Sequence, residues 1–409
     1  MSEPLMRGAA APAGKEAAPS RVLRFLLFLV LSAAAAATIL AGDPQKVHLL
    51  RLAVLLILFG LIRYFFLKRI PSPTPSGAIV MAIGIFINGA IRTFPLLADH
   101  ASGFAVALAV VLLFVAWSYL KDAWRGELVK KHFTNPVGTF GAGTWVAGIS
   151  VCSIAVVQRV PEWTPVVQAV VVANAILWLF FIIRAANGFL KILAPEMAGK
   201  PHGVLLLSTV STQSLVIVAK VAFGSPAWYP FFARLFITLG ALFYFACLAL
   251  IFRRYATEGK GFDLDKSWFN TNCIIHGAMS ITGLASAVSG VVPPNLVLAI
   301  WLWVLFWIVV VEMVEVARAL VRVSRLGFSV GLGAYDPTQW SRNFTFGMFY
   351  AFTLNFNITA SSAGPLLSAL RTFLLDYFGW VVLLVLVAEI AVFLADRYRL
   401  PQHSAPAAL

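Results

Sequence analysis

The sequence predicts an all-α membrane protein: ten core transmembrane helices, arranged as five helical hairpins around a central pore, preceded by two further N-terminal hydrophobic helices. Three observations point there. Of the 409 residues 60% are hydrophobic and only 12% charged, with a mean hydropathy of +0.88, whereas a soluble protein carries about 25% charged residues. Apolar stretches recur along the chain, each long enough to cross a hydrocarbon core of about 30 Å. Lys and Arg concentrate in every second connection between those stretches.

Taken in order, residues 1–20 are rich in Ala, Pro and Gly without an apolar period and read as a disordered cytoplasmic tail. Residues 21–70 hold two apolar segments, 22–41 and 48–68. The first has Arg21 and Arg24 at its start and ends in Ala-rich sequence, so it reads either as a retained helix or as a cleaved signal peptide. Pro71, Pro73 and Pro75 then form a stiff linker. The core domain is expected over 77–396, with spans at 77–97, 103–121, 137–158, 166–189, 203–222, 230–253, 268–292, 296–322, 343–363 and 370–396, and a tail at 397–409.

Charge placement tests that count. One set of connections holds Lys68, Arg69, Lys121, Arg125, Lys130 and Lys131 and continues to Arg397 and Arg399, while the alternate set has only Lys46, Arg51, Arg92, Arg159, Lys220, Arg234 and Arg371. A missed or invented span would scramble the alternation. Both termini are therefore expected in the cytoplasm of a multi-pass inner-membrane protein. The net charge of +14 would suggest nucleic acid in a soluble chain, but here it resides in short loops on one membrane face, so no nucleic-acid partner is expected. Cys152, Cys247 and Cys273 lie in apolar segments without paired spacing and read as small core residues.

The ten core spans are of two alternating kinds. Even spans are bulky, such as VVQAVVVANAILWLFFII and LVLAIWLWVLFWIVVV; odd spans are rich in small and hydroxyl residues, such as GTFGAGTWVAGIS and LLLSTVSTQSLVIV. Small residues let backbones approach, and hydroxyls and amides need partners away from lipid. The economical arrangement is an inner ring of odd helices enclosed by even ones facing lipid.

A pathway for an anion needs dipoles within and positive charge at its mouths. Asn88, Thr144, Ser211, Thr212, Gln213, Asn272 and Ser280 are candidates for lining it, with interhelical hydrogen bonding as the alternative role. Gly84, Gly141 and Gly347 would widen the lumen, permit bending or simply allow packing. Arg92, Lys220 and Arg371 would attract anions at the mouth or else snorkel to headgroups. His276 lies in a polar span and would either couple protons to transport or bond a neighbouring helix.

HFTNPVGTFGAGTW (His132–Trp145), LLSTVSTQSL (Leu206–Leu215), WFNTNCIIHGAMSITGLA (Trp268–Ala285) and WSRNFTFGMFYAFT (Trp340–Thr353) resemble the tellurite-resistance/dicarboxylate transporter family, which includes slow-type anion channels and malate transporters. The resemblance covers about residues 77–396. It implies five helical hairpins around a central pore, assembly as a homotrimer, small inorganic or organic anions as cargo, and a phenylalanine gate on the ninth core helix. Phe346 matches that gate, with Phe344 as the second candidate; Gly347 stands where many members have Pro.

No HExxH pair, Gly-x-Ser-x-Gly elbow or His/carboxylate cluster at ligand spacing is visible, so neither an enzyme nor a cofactor is expected. Two transport readings stay open: an anion channel or uniporter, and a proton-coupled carrier for dicarboxylate or sulfite. The third, a non-transporting membrane protein, leaves the alternation of span types unexplained.

Overall fold

A computed structural model describes residues 21–41, 47–66, 72–357 and 364–399. The expected N-terminal tail, Lys46, Lys68, Arg69, Pro71, the end of the ninth span and the last ten residues of the C-terminal tail lie outside the described residues. Among the described residues all regular structure is helical, and eight helices are long and apolar enough to cross a membrane.

Among the described residues twelve longer helices organise the fold: α1 (Arg21–Leu40), α2 (His48–Phe66), α3 (Gly77–Asn88), α4 (Ala101–Trp124), α5 (Gly143–Arg159), α6 (Thr164–Ile192), α7 (Leu207–Phe223), α8 (Tyr229–Glu258), α9 (Ile274–Ser289), α10 (Pro294–Leu326), α11 (Trp340–Asn355) and α12 (Pro365–Arg399). The odd-numbered core helices pack side by side in a closed cycle, α3 on α5, α5 on α7, α7 on α9, α9 on α11 and α11 back on α3. The even-numbered ones pack outside, each against the inner helix before it; α4, α6, α8 and α12 also touch a second inner helix. Burial follows: 89% of an 18-residue apolar stretch is inside in both Gly138–Arg159 and Gly203–Phe223, against 28% of such a stretch in Pro161–Ile192 and 22% in Pro365–Asp396. Helices α1 and α2 pack on each other and on α4, where Arg51 donates to the Ala41 carbonyl and the Ser102 hydroxyl.

The inner helices are shorter than the sequence suggests, because each begins after a separate 3₁₀ turn. Those turns are Thr74–Ser76, Gly138–Ala142, Gly203–Leu206, Asn270–Cys273 and Pro337–Gln339, and they too touch one another in a closed cycle. The expected 77–97 span ends at Asn88 and continues as the 3₁₀ turn Ala90–Thr93. The expected 343–363 span instead starts at Trp340, behind a capping box in which Asp336 and Gln339 satisfy each other's backbone. A 16-residue α9 rises only about 24 Å, and its preceding turn adds about 8 Å, so the pair matches a bilayer core.

Glycine lets neighbouring hairpins close at their turn ends. A Cβ on Gly203 would collide with the Thr271 carbonyl, and one on Gly143 would lie 2.7 Å from the Leu207 carbonyl oxygen. Backbone on both sides cannot yield as a side chain would. Gly203→Ala is therefore expected to cost about 1–3 kcal/mol, read as a lower unfolding midpoint in detergent. A midpoint equal to wild type would show that this contact is loose.

Candidate functional site

All five inner helices contribute to one cavity of about 130 Å³ on their common axis. The contributors repeat with helical phase: Ile85 and Asn88; Val151, Ile154 and Gln158; Ser214, Ile217 and Val221; Ile281, Leu284 and Val288; Met348, Ala351 and Asn355. Spacings of three and four residues put each set on one face of its helix. Each set starts about two turns into its helix, so all five helices run in the same direction and their C-terminal halves surround the cavity. The wall is mainly aliphatic. Asn88, Gln158, Ser214 and Asn355 supply its polar groups, and the Asn88 Oδ1 is buried without a partner while its amide donates to the Val151 carbonyl.

Of the residues the sequence singled out for the lining, Asn88 reaches this cavity. Four of the others, Thr212, Gln213, Asn272 and His276, face the seam between inner and outer helices. Thr212 accepts from the Trp178 indole of α6 at 3.0 Å, and Gln213 donates to the Ile237 carbonyl of α8 at 3.1 Å. Asn272 accepts from the Gly203 N–H and donates to the Tyr255 hydroxyl of α8. His276 lies 3.4 Å from Glu312 of α10. Ser211, Ser280 and Thr144 return their hydroxyls to carbonyls of their own segments, those of Ser208, His276 and Gly141. Gly84 meets Val151 of α5, Gly347 meets Ile85 of α3, and Gly141 meets Thr74; all three serve close packing rather than a wider lumen.

The two phenylalanines separate clearly. Phe346 points between the rings, with its centroid 5.6 Å from Phe378 of α12 and 6.2 Å from His276. Phe344 is fully buried and lies one turn before Met348 on the stripe that continues through Ala351 and Asn355. Met348, which the sequence reading passed over, occupies the cavity wall. The detectable signal was the i, i+3/i+4, i+7 stripe shared by the five odd segments, not the polarity of single residues.

Positive charge gathers at the cavity end. Arg92 and Arg159 feel one another electrostatically, and Arg371 caps α11 by donating to the Thr353, Leu354 and Phe356 carbonyls. Lys220 bonds Ser225 and lies 5.3 Å above the Tyr229 ring. At the opposite end, His202 braces the cycle of turns: its ring stacks on Phe269 at 4.4 Å, and Nδ1 accepts from the Thr271 hydroxyl and the Val204 N–H. Burial, and then the nearby Arg254 charge, pushes this histidine down to about 3. The unfolded chain binds its proton near pH 6.5 and the folded one does not, so stability falls as pH drops from about 6.5 toward 3. Detergent unfolding midpoints should fall over that window and fall less in His202→Gln; equal slopes would sink the assignment.

Among the described residues no group of three or more His, Cys, Asp or Glu is placed to hold a metal ion. A scan against protein-family models and a search of curated proteins both find no match to the chain. The arrangement offers one axial cavity with aliphatic, amide and hydroxyl groups on its wall and basic residues near one end.

Proposed function

We propose that the chain is a ten-span core of five helical hairpins that passes small anions, monovalent anions or C4-dicarboxylates and sulfite, along the axis of the inner ring. One observation supports this best: five parallel helices, one from each hairpin, present the same helical face to a single axial cavity. Arg92, Arg159 and Arg371 near its mouth favour anions over cations. The resemblance of the odd segments to an anion-transporter family supports the same choice. The aliphatic wall above Phe344 and Met348 would hold the resting passage closed by excluding water. A homotrimer belongs to this reading and is checked by the mass of the detergent complex.

The experiment is flux from liposomes loaded with chloride, nitrate, sulfite, malate or succinate. The reading expects protein-dependent flux of at least one of them with cations excluded. Equal leak with and without protein for all five would end it.

A specific contact also favours proton coupling. His276 is fully buried 3.4 Å from Glu312, which lies 3.6 Å from Arg342, so a titratable pair sits beside an inner helix. A coupled carrier would show flux that responds to an imposed pH gradient in wild type and not in His276→Ala. Wild-type flux indifferent to the gradient would leave the uncoupled channel.

A further inference from the structure

A second cavity, about 250 Å³ in volume, lies away from the axis on the face that carries the 3₁₀ turns. Its walls come from the C-terminal part of α10, the short helix Phe328–Gly331, the loop before α11 and the first turn of α11. Three of its lining side chains are arginines: Arg318, Arg322 and Arg342. Glu315 and Asp336 are its carboxylates. We infer that this cavity is a binding site for a small carboxylate- or phosphate-bearing anion, separate from the axial passage.

The hydrogen-bond balance points that way. Glu315 is already committed on both oxygens: Oε1 accepts from the Trp268 indole at 2.8 Å, and Oε2 from Arg342 at 2.6 Å with Arg318 at 3.6 Å. Asp336 Oδ1 accepts from the Thr338 N–H and hydroxyl. Glu315 therefore has little left for a cation. The arginines are in the opposite position, because each guanidinium carries more N–H donors than its partners use. Arg322 donates to the Gly331 carbonyl and Asp265, Arg318 donates to Asn270 while its Nε is buried without a hydrogen-bond partner, and Arg342 Nε, which also makes no hydrogen bond, lies 3.6 Å from Glu312 Oε2.

The lining also suits the geometry of the ligand. Guanidinium forks match the paired oxygens of carboxylate and phosphate. The partners that hold the three forks come from four different segments, so the forks are positioned before anything binds. Arg342 stands in the first turn of the 16-residue α11, where the helix N-terminus adds positive potential. The volume exceeds that of a few waters at about 30 Å³ each and falls short of a drug-sized pocket of about 300 Å³ or more, which fits a small anion or one lipid headgroup. Glu315 then acts as an internal competitor: it occupies the donors of Arg318 and Arg342 that an incoming anion would use.

The test uses the full chain in phosphatidylcholine nanodiscs. Unfolding midpoints are measured against sodium phosphate, sulfate and succinate, with chloride as the reference at equal ionic strength. Phosphate or succinate should raise the midpoint saturably. Arg318→Gln should weaken that affinity about tenfold, the loss of a charged hydrogen bond, and Glu315→Gln should strengthen it by about as much. If Arg318→Gln does not fold, Arg318→Lys keeps the charge without the fork and should weaken binding in the same direction. Nanodiscs containing phosphatidylglycerol separate the sources: a midpoint already raised, with no further response to phosphate, identifies a headgroup as the occupant, and an unchanged phosphate response identifies a free anion. No shift beyond chloride from any probe in either disc, or an affinity untouched by Glu315→Gln, would overturn the inference. Binding without anion flux would end only the transport reading, and flux without binding only this one.

Discussion

Met348→Ala and Phe344→Ala will each raise anion flux in liposomes by about tenfold, equivalent to about 1.4 kcal/mol off the barrier, while Phe346→Ala will not raise it. The reasoning is positional. Met348 lines the axial cavity, and Phe344 continues the same stripe one turn toward the 3₁₀ turns. Trimming either side chain widens the narrow apolar stretch and lets water, and with it a hydrated ion, enter more cheaply. Phe346 stands between α9, α11 and α12, so its removal costs the packing against Phe378 instead. A buried Phe→Ala change costs about 3–5 kcal/mol, so Phe344→Ala and Phe346→Ala both need a check of folding by size-exclusion profile and unfolding midpoint. Met348→Ala faces an existing cavity and is the milder change. Increased flux from Phe346→Ala alone, with Met348→Ala and Phe344→Ala unchanged, would move the constriction to the seam between the rings and overturn the axial assignment.

The contrast between the two phenylalanines shows where the sequence is readable and where it is not. Small-residue content in alternate segments marks which helices can approach closely, and the observed cycle of α3, α5, α7, α9 and α11 has that composition. Polarity is less informative, because a buried amide needs a partner wherever it points. Gln213 and Thr212 suit a lumen by composition, yet they bond α8 and α6. Their partners were hidden for a related reason. Trp178 and Trp301 sit in bulky segments that read as lipid-facing, but both are buried and donate inward, to Thr212 and Thr353. Boundaries failed where 3₁₀ turns intervene, since hydropathy does not distinguish a turn from the helix it precedes. The start of the ninth span, expected at 343, was missed although its signal is in the chain: Asp336-Pro337-Thr338-Gln339 is a capping box with Pro at the first position of the turn that leads into α11. Orientation within a helix requires phase, and phase emerges only when the five segments are aligned with one another.

Arg342→Gln will lower stability by about 3–5 kcal/mol, the cost of stranding buried charge. Arg342 is the meeting point of two carboxylates on α10: its guanidinium lies 2.6 Å from Glu315 Oε2 and 3.6 Å from Glu312 Oε2. Glu315 is only 6% exposed and Glu312 is 24% exposed, so neither can turn fully to water when the arginine is lost. Arg318, 3.6 Å from Glu315, compensates in part, and the Trp268 indole still donates. Among the described residues Glu312 then retains His276 at 3.4 Å. This asymmetry makes the prediction specific. Adding Glu315→Gln to Arg342→Gln should recover part of the loss, because a neutral amide is cheaper to leave in place than an unpaired carboxylate. Adding Glu312→Gln should likewise recover part of the loss, because it removes the second carboxylate that the missing arginine leaves poorly paired. Unfolding midpoints of the single and double variants in detergent measure both terms as a double-mutant cycle. If Arg342→Gln unfolds within about 1 kcal/mol of wild type, the pair behaves as a solvated surface contact. In that event the end of the ring bearing the 3₁₀ turns is wet, and the buried chain from His276 through Glu312 to Arg342 gives no support to proton coupling.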